Sequence, residues 1–238
     1  ETPDKVSNPA FPRVIPLLEP EMTLAPDIPK DDVDQIVAKL GLGITTFTQG
    51  LAYYFQWDFL NAVRAFRQAD DPALALTGLN NSYLLRLYYG LSLQLYGDLE
   101  AASVQLDKAA ALNPEDPAAP LALAFGYRSL GLLAEAQEQA RLARDLCNRR
   151  ISLYPDDAGA YYDRAQAYEI LEDWEQALKD YSSARQADPN FLAAYLGAMR
   201  MYLYTGRPAD ALAVGQDAIT LANATGGNPA WAYLYLGS

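Results

Sequence analysis

The chain of 238 residues contains no histidine and a single cysteine, Cys147. Without histidine there is no Ser-His-Asp or Cys-His pair and no His-ligated metal. With one thiol there is neither an internal disulfide nor a Cys-rich zinc site. Basic residues are scarce as well: eighteen Lys and Arg face thirty Asp and Glu, for a formal net charge of −12. A surface of that sign repels phosphate, which excludes nucleic acid and anionic membrane as non-specific partners. No apolar run reaches the ~18 residues that a transmembrane segment needs, and the N-terminus lacks a signal-peptide core. Residue 1 is Glu rather than Met, which points to a processed or trimmed chain. β-branched residues are sparse and no hairpin dipeptide separates alternating runs, so strands are not expected.

Hydrophobic residues make up 51% of the chain, ample for a core. Residues 1–30 stand apart, with seven prolines: Pro3, Pro9, Pro12, Pro16, Pro20, Pro26 and Pro29. Proline fixes φ and lacks an N–H, so this spacing predicts an extended arm or linker, or else a strip that binds a partner. From Asp31 the texture turns to Ala, Leu, Tyr and Gln with helical periodicity. Asp31 and Asp32 are candidate N-caps for the apolar series Val33, Ile36, Val37 and Leu40. The expected class is all-α.

Residues 31–238 repeat themselves. The clearest unit, AGAYYDRAQAYEILEDWEQALKDYSSARQADPNF from Ala158 to Phe191, is 34 residues long, and similar copies start near residues 43, 83, 117 and 192, with a fragment from 230. The spacings of 40, 34, 41, 34 and 38 give a period of 34 with inserts. The extension by 7 after Pro117 adds almost two turns, so EAQEQARLARDLCNRRISLYP is expected to form one long helix. The copy from Leu192 is longer by 4, about one turn, and runs into TGGNP. The fragment AWAYLYLGS stops inside a sixth unit, which suggests that the natural chain continues or that the fragment caps the array.

These residues resemble the tetratricopeptide repeat (TPR) family, whose unit is an antiparallel helix pair, A and B. The family's small residue in helix A is Gly50, Gly90, Ala124, Ala165 and Gly237, with Met199 as a departure. Three residues later come Tyr53, Leu93, Tyr127, Tyr168 and Tyr202. The turn glycine is Gly97, Gly131 and Gly206, replaced by Trp57 and Glu172 in the first and fourth copies. Helix B carries Ala62, Ala102, Ala136, Ala177 and Ala211, and seven residues on Ala69, Ala109, Ala143, Ala184 and Ala218. The terminal proline is Pro114 and Pro189, with Pro155 displaced. Small residues at a crossing let helix axes approach to ~8 Å, and aromatics such as Phe66 and Tyr181, four residues beyond the helix B alanine, fill the space left. The resemblance implies a right-handed superhelical solenoid of about five antiparallel helix pairs plus a terminal partial repeat, since one pair cannot bury its own apolar faces.

The resemblance also implies a concave groove lined by helix A and a protein or peptide partner within it. Carried onto this chain, the lining residues are Tyr54, Gln94, Arg128, Tyr162, Gln166, Glu169, Arg200 and Tyr204. A TPR subclass that clamps a C-terminal carboxylate uses cations at places that here hold Phe47, Leu51, Tyr88, Ala118 and Ala122. That clamp is therefore not expected, and an apolar peptide or helix is. The implied function is a non-catalytic interaction scaffold with no cofactor. The alternatives are self-association through Trp231, Tyr233 and Leu236, and a carboxylate-based hydrolase.

Other clusters have plain readings. Arg141, Arg144, Arg149 and Arg150 could dock an acidic partner or answer the chain's own acids, the second being favoured. Cys147 is expected to be an inert small hydrophobe. Asp156 and Asp157 sit where N-caps belong, and no DxDxDG loop promotes a calcium reading of the acidic clusters, including Asp31, Asp32, Asp34, Asp163, Glu172, Asp173 and Glu175. A Pro-rich leader fits a tether outside a bacterial membrane, and one cysteine is compatible with any compartment.

Overall fold

The computed structural model describes residues 30–77 and 79–225, without the side chains of 30–34, 36, 37, 40, 75–77 and 80. The Pro-rich arm, the candidate caps Asp31 and Asp32 as side chains, and the fragment from residue 230 lie outside this set. Among the described residues there are ten α-helices and no strand. They are α1 (Lys30–Phe55), α2 (Phe59–Ala69), α3 (Tyr83–Tyr96), α4 (Leu99–Leu112), α5 (Ala118–Ser129), α6 (Leu133–Leu153), α7 (Ala158–Ile170), α8 (Trp174–Ala187), α9 (Leu192–Tyr204) and α10 (Pro208–Thr225). Odd helices are A and even helices B of successive pairs, which makes the architecture an all-α helical-repeat solenoid. The chain divides into two compact units, described here as residues 30–136 and 137–225.

The same turn closes every pair, and it explains the period. At its centre Trp57, Gly97, Gly131, Glu172 and Gly206 all take positive φ, between 59° and 102°. The next residue then donates its N–H back to the carbonyl five positions earlier: Asp58 to Tyr53 at 3.0 Å, Asp98 to Leu93 at 2.9 Å, Leu132 to Tyr127 at 2.9 Å, Asp173 to Tyr168 at 2.9 Å and Arg207 to Tyr202 at 2.8 Å. This closes the C-terminus of helix A. Where the donor is aspartate, its side chain also caps helix B, accepting from the N–H of Asn61, Ala101 or Gln176. Only two or three residues thus separate the end of helix A from the start of helix B.

All ten helix B alanines singled out above are buried, none more than 2% exposed. In the unit of residues 30–136 a Cβ on Gly50 would lie 2.5 Å from the Phe66 ring, and one on Gly90 would lie 2.6 Å from Leu106. No side chain fits either place, so the crossing requires glycine opposite a large partner. The register runs in the reverse sense at α9 and α10: Met199 takes the glycine place and Gly215 the place of Phe66, both buried. The departure at Met199 is therefore matched by an exchange of size between the two helices.

The inserts are resolved into structure. The first copy, six residues longer than the period, carries two 3₁₀ turns, Pro72–Thr77 and Leu79–Asn81, and Leu74 and Leu79 lie within 3.6 Å of a Cβ built on Gly43. The extension by 7 makes α6 the longest helix B, at 21 residues, and α10 reaches 18. Helix A of the first copy is longer than the repeat: α1 runs unbroken for 26 residues from Lys30 through Gly43. Three threonines within it turn their hydroxyls to carbonyls of the preceding turn, Thr45 to Gly41, Thr46 to Leu42 and Thr48 to Ile44, and so cause no break.

Candidate functional site

In the unit of residues 30–136, helix A supplies Tyr54, Gln94 and Arg128. Tyr54 is half-buried, with its ring 5.2 Å from that of Tyr88 and 5.3 Å from that of Phe55, edge to face in both cases. Burial pushes its phenol above the ordinary tyrosine pKa. Gln94 donates to the Ala122 carbonyl at 3.2 Å, tying α3 to α5. Arg128 is exposed, its guanidinium 5.1 Å from the centre of the Phe125 ring. Phe47 and Tyr88, expected at an apolar groove entrance, are 3% and 8% exposed. They belong to the core with Phe66 and Leu85, so they hold helices together and leave little surface for a guest.

In the unit of residues 137–225 the candidates come together in two clusters and one stacked pair. Gln166 donates to the Tyr162 hydroxyl at 3.1 Å, one turn along α7. The Tyr162 ring sits 5.0 Å from Phe191 and 5.7 Å from Tyr181. Glu169 is 5% exposed and takes one nitrogen of Arg200 at 2.6 and 2.8 Å on its two oxygens. The Tyr181 hydroxyl also donates to Glu169. Burial first, and the Glu169 carboxylate second, push the Tyr181 phenol far up. Glu169 is thus an internal anchor across α7, α8 and α9, with little area for a ligand. Tyr204 is 71% exposed and stacks on Trp174 at 5.5 Å and 16°.

Several residues outside the expected set matter. Arg164 forks onto both oxygens of Asp180 at 2.7 Å and reaches Asn148 at 2.8 Å. Arg86 bonds Asp70 and Gln105, both at 2.7 Å. In each case a helix A arginine ties its own helix B to that of the preceding pair. Trp57, Phe59 and Leu95 line an open hollow with Tyr54 and Phe55. Its signal in the sequence was a tryptophan in a glycine place.

The remaining clusters resolve as follows. Arg144 pairs with Asp145 at 2.9 Å and Arg150 with Asp157 at 2.7 Å, while Arg141 turns to Gln137. Asp157 also caps α7 through the Ala160 N–H at 2.9 Å. Cys147 is buried, and burial pushes its thiol up, away from the reactive thiolate. Among the described residues no group of acids or thiols could hold a metal ion, and no helix is long and apolar enough to cross a membrane.

Comparison with known proteins agrees with this architecture. No family model matches the chain. It is 32% identical over 99 residues to the small glutamine-rich tetratricopeptide repeat-containing protein 2 of Saccharomyces cerevisiae, covering 42% of this chain and 29% of the yeast protein. Over 46 residues, 19% of this chain and 9% of the relative, it is 46% identical to a DnaJ homolog subfamily C member 3 homolog of Dictyostelium discoideum. The chain therefore spans less than a third of the length of either curated relative. Among solved structures, the anaphase-promoting-complex hetero-tetramer Cut9-Hcn1 superposes with a TM-score of 0.57 at 16% identity, over 82% of this chain and 35% of that one. The resemblance to the tetratricopeptide repeat family holds in sequence and in fold.

Proposed function

We propose that the chain is a non-catalytic protein-interaction scaffold that receives an apolar peptide or helix of a partner on its helix A faces. The observation that carries this reading is the pairing of aromatic area with oriented polar groups on those helices. Tyr162 is held by Gln166, and Tyr204 is stacked on Trp174 yet 71% exposed. Rigid, partly exposed tyrosines of this kind suit recognition, since each joins apolar area to a directional hydroxyl at small entropic cost. The relatives' tetratricopeptide repeats support a partner that is protein. A reading without acid–base chemistry is supported by Glu169 and Asp180, the most buried carboxylates described, which are taken up by Arg200 and Arg164.

Fluorescence anisotropy with a labelled, leucine-rich amphipathic helical peptide tests this. Tyr204→Ala and Tyr162→Ala should each weaken binding about tenfold, the effect of losing one interface anchor. Binding that both variants leave unchanged, with helicity intact, overturns the reading.

A further inference from the structure

The helix A–helix B turns of residues 30–136 bring large apolar side chains to one edge. Phe55 and Trp57 stand at the first turn, Leu95 and Tyr96 at the second, and Leu132 and Leu133 at the third, each between 41% and 69% exposed. The first two turns line one open hollow. The last turns of α3 and α5 lie side by side, since a Cβ on Gly126 would stand 3.7 Å from the Gln94 amide. The connection from α4 to α5, residues 113–116, carries no large apolar side chain. At about 150–250 Å² for each aromatic side chain, the exposed parts of these six come to on the order of 500 Å². A patch of that size on a monomer marks an interaction site.

Hydrogen bonding and charge select the occupant. An edge made of helix ends and turns offers no row of open backbone donors and acceptors, so an extended peptide laid on it would leave its own amides unpaired. A helix satisfies its backbone internally and meets such a surface with side chains alone. From the last turn of each helix A through the first turn of helix B there are four acids, Asp58, Asp98, Glu100 and Glu135, and one cation, Arg128. Arg64 and Arg67 lie further along α2, on Asn61 and Tyr89, and Arg67 also feels Asp98. A second copy of a chain with net charge −12 would set these acids against their equals. An apolar face bordered by Lys or Arg would meet them as opposites.

We propose that this edge docks one amphipathic helix of a partner protein, apolar along one face and bordered there by Lys or Arg. The edge goes beyond the helix A faces of the scaffold reading, with which it shares only Tyr54 and Arg128. Its three turns are two repeat steps apart, each about a helix diameter of ~10 Å, so it runs for about 20 Å. A helix of ~14 residues spans that length at the α-helical rise.

The test is fluorescence anisotropy at physiological salt with a labelled peptide of ~14 residues, leucine on one helical face and lysine elsewhere. The full chain carries Tyr162→Ala/Tyr204→Ala throughout, so that the helix A faces do not contribute and the two readings stand or fall separately. The Leu/Lys peptide should bind, and Trp57→Gly and Leu132→Ser/Leu133→Ser should each weaken it about tenfold. Glycine holds this turn place in three other copies, so Trp57→Gly keeps the fold, which far-UV circular dichroism verifies. A Ser/Lys peptide of the same charge and a Leu/Glu peptide should both fail to bind. Failure of the Leu/Lys peptide to bind, or affinity that both edge variants leave unchanged, overturns the proposal. So does equal binding of the Ser/Lys peptide, which is attraction by net charge alone, or of the Leu/Glu peptide. A dimer in sedimentation that Trp57→Gly dissolves also overturns it, by assigning the edge to a second copy.

Discussion

In residues 30–136 the α1–α2 crossing is filled by Phe66 over Gly50, with Leu85, Leu93 and Phe47 around it. In residues 137–225 the matching ring is Tyr181, and its hydroxyl leads into Glu169 and Arg200. The polar ties differ in the same direction. Arg86 meets an Asp70 whose side chain is 21% exposed, whereas the Asp180 that holds Arg164 is 3% exposed. Close packing of a glycine against a ring serves both units, Gly50 on Phe66 and Gly197 on Tyr181, while the acids are more deeply buried in the second. Shape is indifferent to which helices meet so long as volumes match. A buried ion pair is satisfied by one arrangement only and is costly when half of it is removed.

The largest break in this comparison comes from the two rings. Phe66→Ala should cost about 3–5 kcal/mol in urea unfolding. Tyr181→Ala should cost at least as much, because it also strips Glu169 of a donor. If Tyr181→Ala proves the milder of the two, the hydroxyl network adds nothing.

The acids come next. Asp180→Ala should lose about 3 kcal/mol by leaving the Arg164 guanidinium uncompensated. Asp70→Ala, where Arg86 is buried but keeps Gln105, should lose less, about 1–2 kcal/mol. Equal losses would dissolve the distinction between the units.

A third effect depends on pH. Burial pushes Tyr88 up to about 12 in the first unit, and Tyr181 is pushed further in the second. The folded pKa lies above the unfolded one, so the unfolded state releases the proton first. The stabilisation is whole below pH ~10 and declines as pH rises, the Tyr88 share being spent by about 12. Each such group contributes a slope of up to about 1.4 kcal/mol per pH unit in that window. Urea midpoints from pH 8 to 11 should fall less steeply in Tyr181→Phe and in Tyr88→Phe than in the parent chain.

The smallest effect is at the turns. Glu172 holds φ at 59°, and Glu172→Gly should gain about 0.5 kcal/mol, strain relief partly offset by unfolded-state entropy. A loss there would show that the side chain makes contacts that outweigh its strain.

Much of the fold was legible because it rests on residue size at fixed intervals. The alanines of helix B and the five turn positions could be read in register, and the positive φ of Trp57 and Glu172 follows from their standing where glycine stands in the other three copies. The candidate site was less legible, since helical register gives a direction but not what the next helix brings. Glu169 has the spacing of an outward residue, yet Arg200, 31 residues later on the following helix A, reaches back and closes over it. Opposite charges nearly one period apart were the available sign. Phe47 and Tyr88 sank into the core for a related reason: Phe66 of α2 meets Phe47, and Tyr54 and Phe55 of the preceding helix A meet Tyr88, contacts that the spacing within one copy does not encode.

The exchange of Met199 with Gly215 bears on how freely such modules can be traded. A chimera that set α9 in the place of α1 would put a methionine where the Phe66 ring already stands 2.5 Å from an ideal Cβ of Gly50. Grafting α10 in place of α2 would instead leave glycine facing glycine and a void between them. Helices of these copies can therefore be transplanted only as matched pairs, and a duplication that broke a pair would be selected against at the level of packing, before any partner was met.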